Sequence, residues 1–307
     1  MTVPSSGEVP RALTARPWLR AGGALLEGVV WDAASDRLLL VDIPRGTVLT
    51  VGIGPDGAPA DVRRSHLPAP VTSVHPTTRP GTLLIADGDG MALLDAADAV
   101  ERLADPLAGR PDFRMNDGGV DPEGRYFAGS MTYATAPGAA CLYRLDPDRT
   151  LHTVLTGVSI SNGIDWSPDR TLCYYVDTPL DRVDVFDYDR ATGTLTGRRP
   201  FADTAALPGT PDGLTVDAEG FVWVAFWGGG QVVRFAPDGR VDATLAVAAA
   251  RVTSCAFGGP ARDVLFVTTA AEGLSPAELA AQPDAGSVFV ADPGVRGLPP
   301  TLFPVPA

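Results

Sequence analysis

The chain contains no lysine; all 24 of its basic residues are arginine. Schiff-base chemistry and the phosphate-cradling P-loop both require a lysine amine, so both are excluded. Cysteine is scarce. Cys141, Cys173 and Cys255 lie far apart, at neither metal-ligand nor redox spacing, and each falls in an apolar run. They read as buried free thiols, and no disulfide framework points to an oxidising compartment. Histidine is equally sparse: His66, His75 and His152 are not paired at ligand spacing, which argues against a His-rich catalytic zinc site. Each is expected to be an ordinary surface or loop residue. A Gly-x-Ser-x-Gly elbow is missing, so a serine-hydrolase triad has no support. No run of 18 apolar residues occurs, and Met1 to Arg20 carries prolines, serines and three arginines rather than a signal-peptide core. Positive charge is in deficit, 24 basic against 37 acidic residues for a net charge of −13, so phosphate backbones and anionic membranes are repelled. Neither nucleic acid nor a membrane is an expected partner, and a cytoplasmic location is the expectation.

Apolar residues are plentiful. At 45% hydrophobic and 20% charged, the 307 residues can bury a large core. They also repeat. Six segments share one pattern, a polar residue, a small residue, an apolar entry, a turn, a strongly apolar strand and a further strand. They begin at Glu27-Gly28, Thr72-Ser73, Asp117-Gly118, Asn162-Gly163, Asp212-Gly213 and Thr253-Ser254, in steps of 45, 45, 45, 50 and 41 residues. In the fourth, Gly163-Ile164-Asp165-Trp166 leads through Ser167-Pro168-Asp169-Arg170 to Leu172-Cys173-Tyr174-Tyr175-Val176. The fifth has Leu214-Thr215-Val216, a turn at Asp217-Ala218-Glu219-Gly220, then Phe221-Val222-Trp223-Val224-Ala225. Such runs of β-branched and aromatic residues, cut by Gly, Pro and Asp, are strand-and-turn chemistry.

Four-stranded units of this length, repeated six times, predict an all-β, six-bladed β-propeller with four-stranded antiparallel blades. A single blade cannot cover its own faces; stacking against neighbours covers them, and ring closure removes the exposed ends. The predicted propeller domain spans residues 21–307, and residues 1–20 form an N-terminal tail or contribute to ring closure. Ser275-Pro276-Ala277-Glu278 has a Ser cap, Pro at the first helical position and Glu three residues after the cap, which predicts a short helix inserted in blade six. Asp95 to Leu107 is Ala-rich and could be helical by propensity, but the outer strand of blade two is placed there.

The position before each small residue carries the chemistry. In a propeller the innermost strands start at one end of the central channel, so equivalent residues converge on the axis. Glu27, Thr72, Asp117, Asn162, Asp212 and Thr253 all present a side-chain oxygen. Carboxylates and an amide carbonyl crowded on a narrow axis stay ionised only with a cation between them, and a hard divalent ion is the economical answer. Asn-Gly and Asp-Gly are also ordinary turn dipeptides, and Pro55-Asp56-Gly57 and Pro237-Asp238-Gly239 read as turns. Matching register across four blades, with Glu27 as a poor turn residue, sets the others apart. Trp31, Trp166 and Trp223 recur within blades and read as packing; Trp227, before Gly228-Gly229-Gly230, could line a rim.

At this point the chain resembles the regucalcin (senescence marker protein)/gluconolactonase family of six-bladed propellers. The resemblance rests on Glu27-Gly28-Val29-Val30-Trp31-Asp32, Arg114-Met115-Asn116-Asp117-Gly118, Val120-Asp121-Pro122-Glu123-Gly124-Arg125, Ser161-Asn162-Gly163-Ile164-Asp165-Trp166 and Pro211-Asp212-Gly213-Leu214. It implies a metal held by Glu27, Asn162 and Asp212, with Asp212 also as the base. It assigns Arg114 and Asn116 to the substrate hydroxyls and Asp117 to the floor of the site. The implied activity is hydrolysis of a sugar lactone using one divalent ion, calcium first, with zinc, manganese or magnesium as alternatives. The chain departs from the family after Gly129-Ser130-Met131: an acidic substrate contact is common there, and this chain reads Thr132-Tyr133-Ala134-Thr135-Ala136-Pro137. A small-molecule sugar lactone is thus the expected partner. The competing readings are a related propeller esterase or phosphotriesterase, and a non-catalytic calcium-binding propeller.

Overall fold

A computed structural model of the protein describes residues 10–68 and 70–305. Six sheets are arranged as blades, antiparallel but for one added parallel edge strand, and setting aside the N-terminal strands Arg11–Thr14 and Arg16–Leu19, the first strand of each in sequence is innermost. The inner strands are Leu26–Asp32, Val71–Pro76, Phe113–Val120, Ser161–Trp166, Thr210–Val216 and Val252–Gly258. Six apolar clusters fill the spaces between neighbouring blades. One joins blades five and six through Trp223, Leu245, Phe257, Leu265 and Phe289; another joins blades six and one through Trp31, Leu38, Leu40 and Phe266. The core therefore lies between blades, which is why the second strand of a blade, such as Tyr126–Thr132, is buried along its whole length.

The N-terminal segment closes the ring. Arg16–Leu19 is the outer strand of blade six, antiparallel to Val288–Ala291, so that blade joins the two ends of the chain. Arg11–Thr14 runs parallel to Val241–Ala246 and covers the outer edge of blade five. Blade two has its outer strand at Val100–Ala104, within the stretch assigned to it despite its alanines. The helix in blade six is Pro276–Ala281, with Ser275 and Glu278 making the reciprocal capping bonds.

The small residue after each shared polar position has a packing role. In all six blades the pairing of the inner strand slips at this register, between Glu27 and Val30 in blade one and at the matching residues in the others. The slip turns the strand, and neighbouring inner strands close tightly there. A Cβ on Gly163 would lie 2.5 Å from Leu214 N, and one on Gly213 would lie 2.8 Å from Ser254 Cα. The repeated dipeptide is thus needed for the narrow inner ring as well as for its polar side chain.

Beyond that register the channel widens into a cavity of about 300 Å³, lined by Val30, Asp117, Asp165, Thr215 and Phe257 among others. Leu298, Pro299, Pro300 and Thr301 lie against it. These four belong to a C-terminal strap held at both sides. Gly297 N donates to Arg262 O, and Phe303 exchanges backbone bonds with the Pro76 to Thr78 segment of blade two. Cys173 and Cys255 are buried and Cys141 half-buried, all as free thiols. His75 departs from the surface reading: it lies on the inner strand of blade two, buried, with Nε2 bonded to Gly118 O at 3.0 Å.

Candidate functional site

The six shared positions do not form one equivalent ring. Thr72 and Thr253 are buried at 1% and 0% exposure, and their hydroxyls are taken up by the fold. Thr253 Oγ1 donates to Leu26 O at 2.6 Å and contacts Thr268 Oγ1; Thr72 Oγ1 donates to Ala86 O at 3.4 Å. Glu27, Asp117, Asn162 and Asp212 remain. A threonine hydroxyl is short and is readily satisfied by a nearby carbonyl, which register alone does not reveal.

Each of two predicted ligands follows a segment pinned by a carboxylate from the second strand of its own blade. Asp42 accepts from Ala24 N and Leu25 N ahead of Glu27. Asp177 accepts from Ser159 N and Ile160 N ahead of Asn162. A side-chain chain of bonds then crosses from blade three to blade five. Arg114 donates to Asn116 Oδ1 at 2.5 Å, and Asn116 Nδ2 donates to Ser161 O at 2.7 Å and to Asn162 Oδ1 at 3.0 Å. Asn162 Nδ2 donates to Thr178 Oγ1 at 2.7 Å, and Thr178 Oγ1 donates to Pro211 O, the residue before Asp212, at 2.9 Å. Thr178 escaped the sequence reading; its only signal is its place after Tyr175-Val176-Asp177, matching Val41-Asp42 of blade one.

The carboxylates are less well provided. Glu27 accepts a single long bond, 3.4 Å, from its own neighbour Gly28, and Asp212 accepts none from any described residue. Both are buried. Burial first, then the charges of Asp212 and Asp117, hold the Glu27 carboxyl well above the usual range; Gly28 N–H and Arg114 oppose them. Burial and Asp117 raise Asp212 in the same way, against Arg114. Asp117 is pushed up to about 6 by burial, despite a bond from Gly118 N. Arg114 is itself lowered by burial and held charged by Glu27, Tyr133, Glu272 and Asp212. Tyr133 and Glu272 are two further residues that the repeat pattern did not single out.

This donor set fits a hard cation. Buried carboxylates with at most one backbone donor each, repelling one another and supplemented by an amide oxygen, lack the positive charge that would keep them ionised. Among the described residues no three His, Cys, Asp or Glu side chains cluster closely enough to hold an ion by themselves. The candidate set would therefore depend on the Asn162 amide oxygen. Asp117 also lines the cavity beyond the register, which Glu27, Asn162 and Asp212 do not.

Residues 25–271 match the family model described as SMP-30/Gluconolactonase/LRE-like region. The chain belongs to that family. Regucalcin of Oryctolagus cuniculus is 39% identical over 290 residues, covering 90% of this chain and 94% of the relative. A calcium-binding protein, regucalcin, from Agrobacterium tumefaciens superimposes with a TM-score of 0.90 at 29% identity, covering 96% of this chain and 99% of that one. A gluconolactonase from Xanthomonas campestris shares the fold, with a TM-score of 0.72 at 22% identity over 91% of this chain and 89% of that one. The family match covers the inner strands of all six blades and every residue of the candidate site except Glu272. No helix among the described residues is long and apolar enough to cross a membrane.

Proposed function

We propose that this member of the SMP-30/gluconolactonase family is a divalent-metal-dependent hydrolase that opens sugar lactones. The observation that carries the reading is the pair of buried carboxylates, Glu27 with one long bond from Gly28 N and Asp212 with no donor among the described residues, beside an Asn162 whose amide is held by Asn116 and Thr178. Glu27, Asn162 and Asp212 would hold the ion, calcium before zinc, manganese or magnesium, since the set offers oxygen alone. When bound, such an ion acts as a Lewis acid toward a carbonyl oxygen and acidifies water.

The remaining work falls to side chains. Asp212 would accept the proton of the attacking water. Arg114 presents a guanidinium fork to adjacent ring hydroxyls. Asn116 holds Arg114 on one side and Asn162 on the other, and its carbonyl keeps one lone pair for a hydroxyl. Asp117 forms the floor. An aromatic ester or organophosphate would call for apolar walls, whereas Arg114 and Asn116 offer hydrogen-bonding groups suited to hydroxyls.

A pH-indicator assay on several aldonolactones tests the reading, with each divalent metal added back after chelation. Turnover that disappears on chelation and returns with one metal supports it. Undiminished turnover in metal-free protein, or no turnover of any lactone with any metal, overturns it.

A further inference from the structure

Glu272 lies in the loop that leaves the second strand of blade six, Val264–Thr269. The backbone N–H groups of Ala271 and Glu272 both donate to Ala24 O, at 2.9 and 2.8 Å, and Ala270 N donates to Arg251 O at 2.9 Å. Leu25 pairs with Ala270. These bonds fasten the loop to the segment that runs into Glu27, so Glu272 stands at the same end of the propeller as the candidate metal ligands. The rim beside it is built: Arg251 donates to Gly273 O and covers the face of Trp227, 5.0 Å from its centroid.

Glu272 itself is exposed, and no hydrogen bond or ion pair engages its carboxylate among the described residues. Its charge nonetheless acts on the buried guanidinium of Arg114, which blade three supplies. Tyr133, 58% exposed on the loop after blade three's second strand, acts on the same guanidinium. Arg114 and Glu272 therefore act on one another through charge, with no hydrogen bond or ion pair between them among the described residues.

We propose that Glu272 is a specificity-determining residue: its carboxylate, standing off Arg114, turns away lactones that carry a negative charge and leaves uncharged polyhydroxylated lactones as substrates. The inference rests on the lactonase reading and adds the charge of the substrate to it. A divalent ion would balance Glu27 and Asp212. Glu272 then supplies the counter-charge for Arg114, and an anionic substituent has to displace it. Like charge at a rim suppresses the wrong partner more than it strengthens the right one, and salt screens it.

The test compares an uncharged aldonolactone with an aldaric-acid monolactone, which keeps a free carboxylate, in the metal-loaded wild-type protein, Glu272→Gln and Glu101→Gln. Glu101 is exposed on the outer strand of blade two and pairs with Arg149. The wild type is expected to favour the uncharged lactone in kcat/KM. Glu272→Gln narrows the ratio about tenfold or more through the KM of the charged lactone, and about 0.5 M salt narrows it in the wild type. Glu101→Gln leaves it unchanged. Calorimetric binding of glucose and of glucuronate to the same proteins gives a readout without turnover. If no lactone is hydrolysed but Glu272→Gln abolishes a preference for glucose, the lactonase reading fails and the role of Glu272 stands. A lactone ratio unmoved by Glu272→Gln, equal binding of the two sugars by the wild type, or an equal shift in Glu101→Gln overturns the proposal.

Discussion

Asn116 Nδ2 donates to Asn162 Oδ1 at 3.0 Å, across the junction of blades three and four. The same Asn116 accepts from Arg114, so one amide fixes both a candidate metal ligand and a candidate substrate-binding fork. Asn116→Ala is expected to lower lactone kcat/KM roughly a hundredfold, because a misplacement near 1 Å is enough for that loss. A merely structural residue would leave the balance of KM and kcat unchanged. Here KM should rise as Arg114 loosens, and metal affinity should fall as Asn162 turns. Stability should drop by only ~1–3 kcal/mol, measured by denaturant unfolding.

A buried ion pair far from the site separates folding from function. Asp217, fully buried, accepts from Glu219 N, Phe221 N, Trp223 Nε1 and the Arg234 guanidinium. Asp217→Ala leaves Arg234 buried with its remaining partners, Asp242 and Glu219. The expected loss is about 3–5 kcal/mol. In a thermal scan this is a fall on the order of 10 °C. Residual folded protein should retain its KM.

The pH dependence of stability has a named contributor. Burial pushes His75 down to about 4, against a weaker opposing effect of Gly118 O. As the pH falls through about 6.5 the unfolded chain gains a proton that the folded chain refuses until about 4. The unfolded state binds more protons in that window, so stability declines as the pH falls from about 6.5 to about 4, by about 3 kcal/mol at most. His75→Gln keeps a donor for Gly118 O and cannot charge. The free-energy difference between wild type and variant should therefore narrow by ~2 kcal/mol between pH 7 and pH 4.5 in denaturant titrations. A constant difference would mean that His75 charges in the folded protein.

Ring closure depends on a few residues at the beginning of the chain. Removing residues 1–19 strips Arg16–Leu19 from Val288–Ala291 and Arg11–Thr14 from Val241–Ala246, exposing two strand edges. The truncated protein is expected to self-associate or aggregate on size-exclusion chromatography, where the full chain elutes as one species.

Much of this architecture was legible because a propeller repeats. The 45-residue steps fell on the inner strands, and the dipeptides at Glu27, Asn162 and Asp212 fell where those strands slip register. What the pattern could not convey was occupancy. Thr72 and Thr253 share the register, yet their hydroxyls bond to carbonyls within reach, a matter of side-chain length rather than position. Thr178 and Glu272 lie in connections outside the repeated pattern, and they reach the site through loops whose course depends on tertiary bonds such as Glu272 N to Ala24 O. His75 looked ordinary because a single histidine has no periodicity; only the inner strand around it shows that it is buried.

Titration of calcium, zinc, manganese and magnesium into chelator-treated protein, with Asp212→Ala and Glu27→Ala in parallel, bears most directly on the divalent centre. One ion per folded chain, lost in both variants while their far-UV spectra stay unchanged, is the expected result. No saturable binding by the wild type, or equal binding by the two variants, would contradict a metal held by Glu27, Asn162 and Asp212.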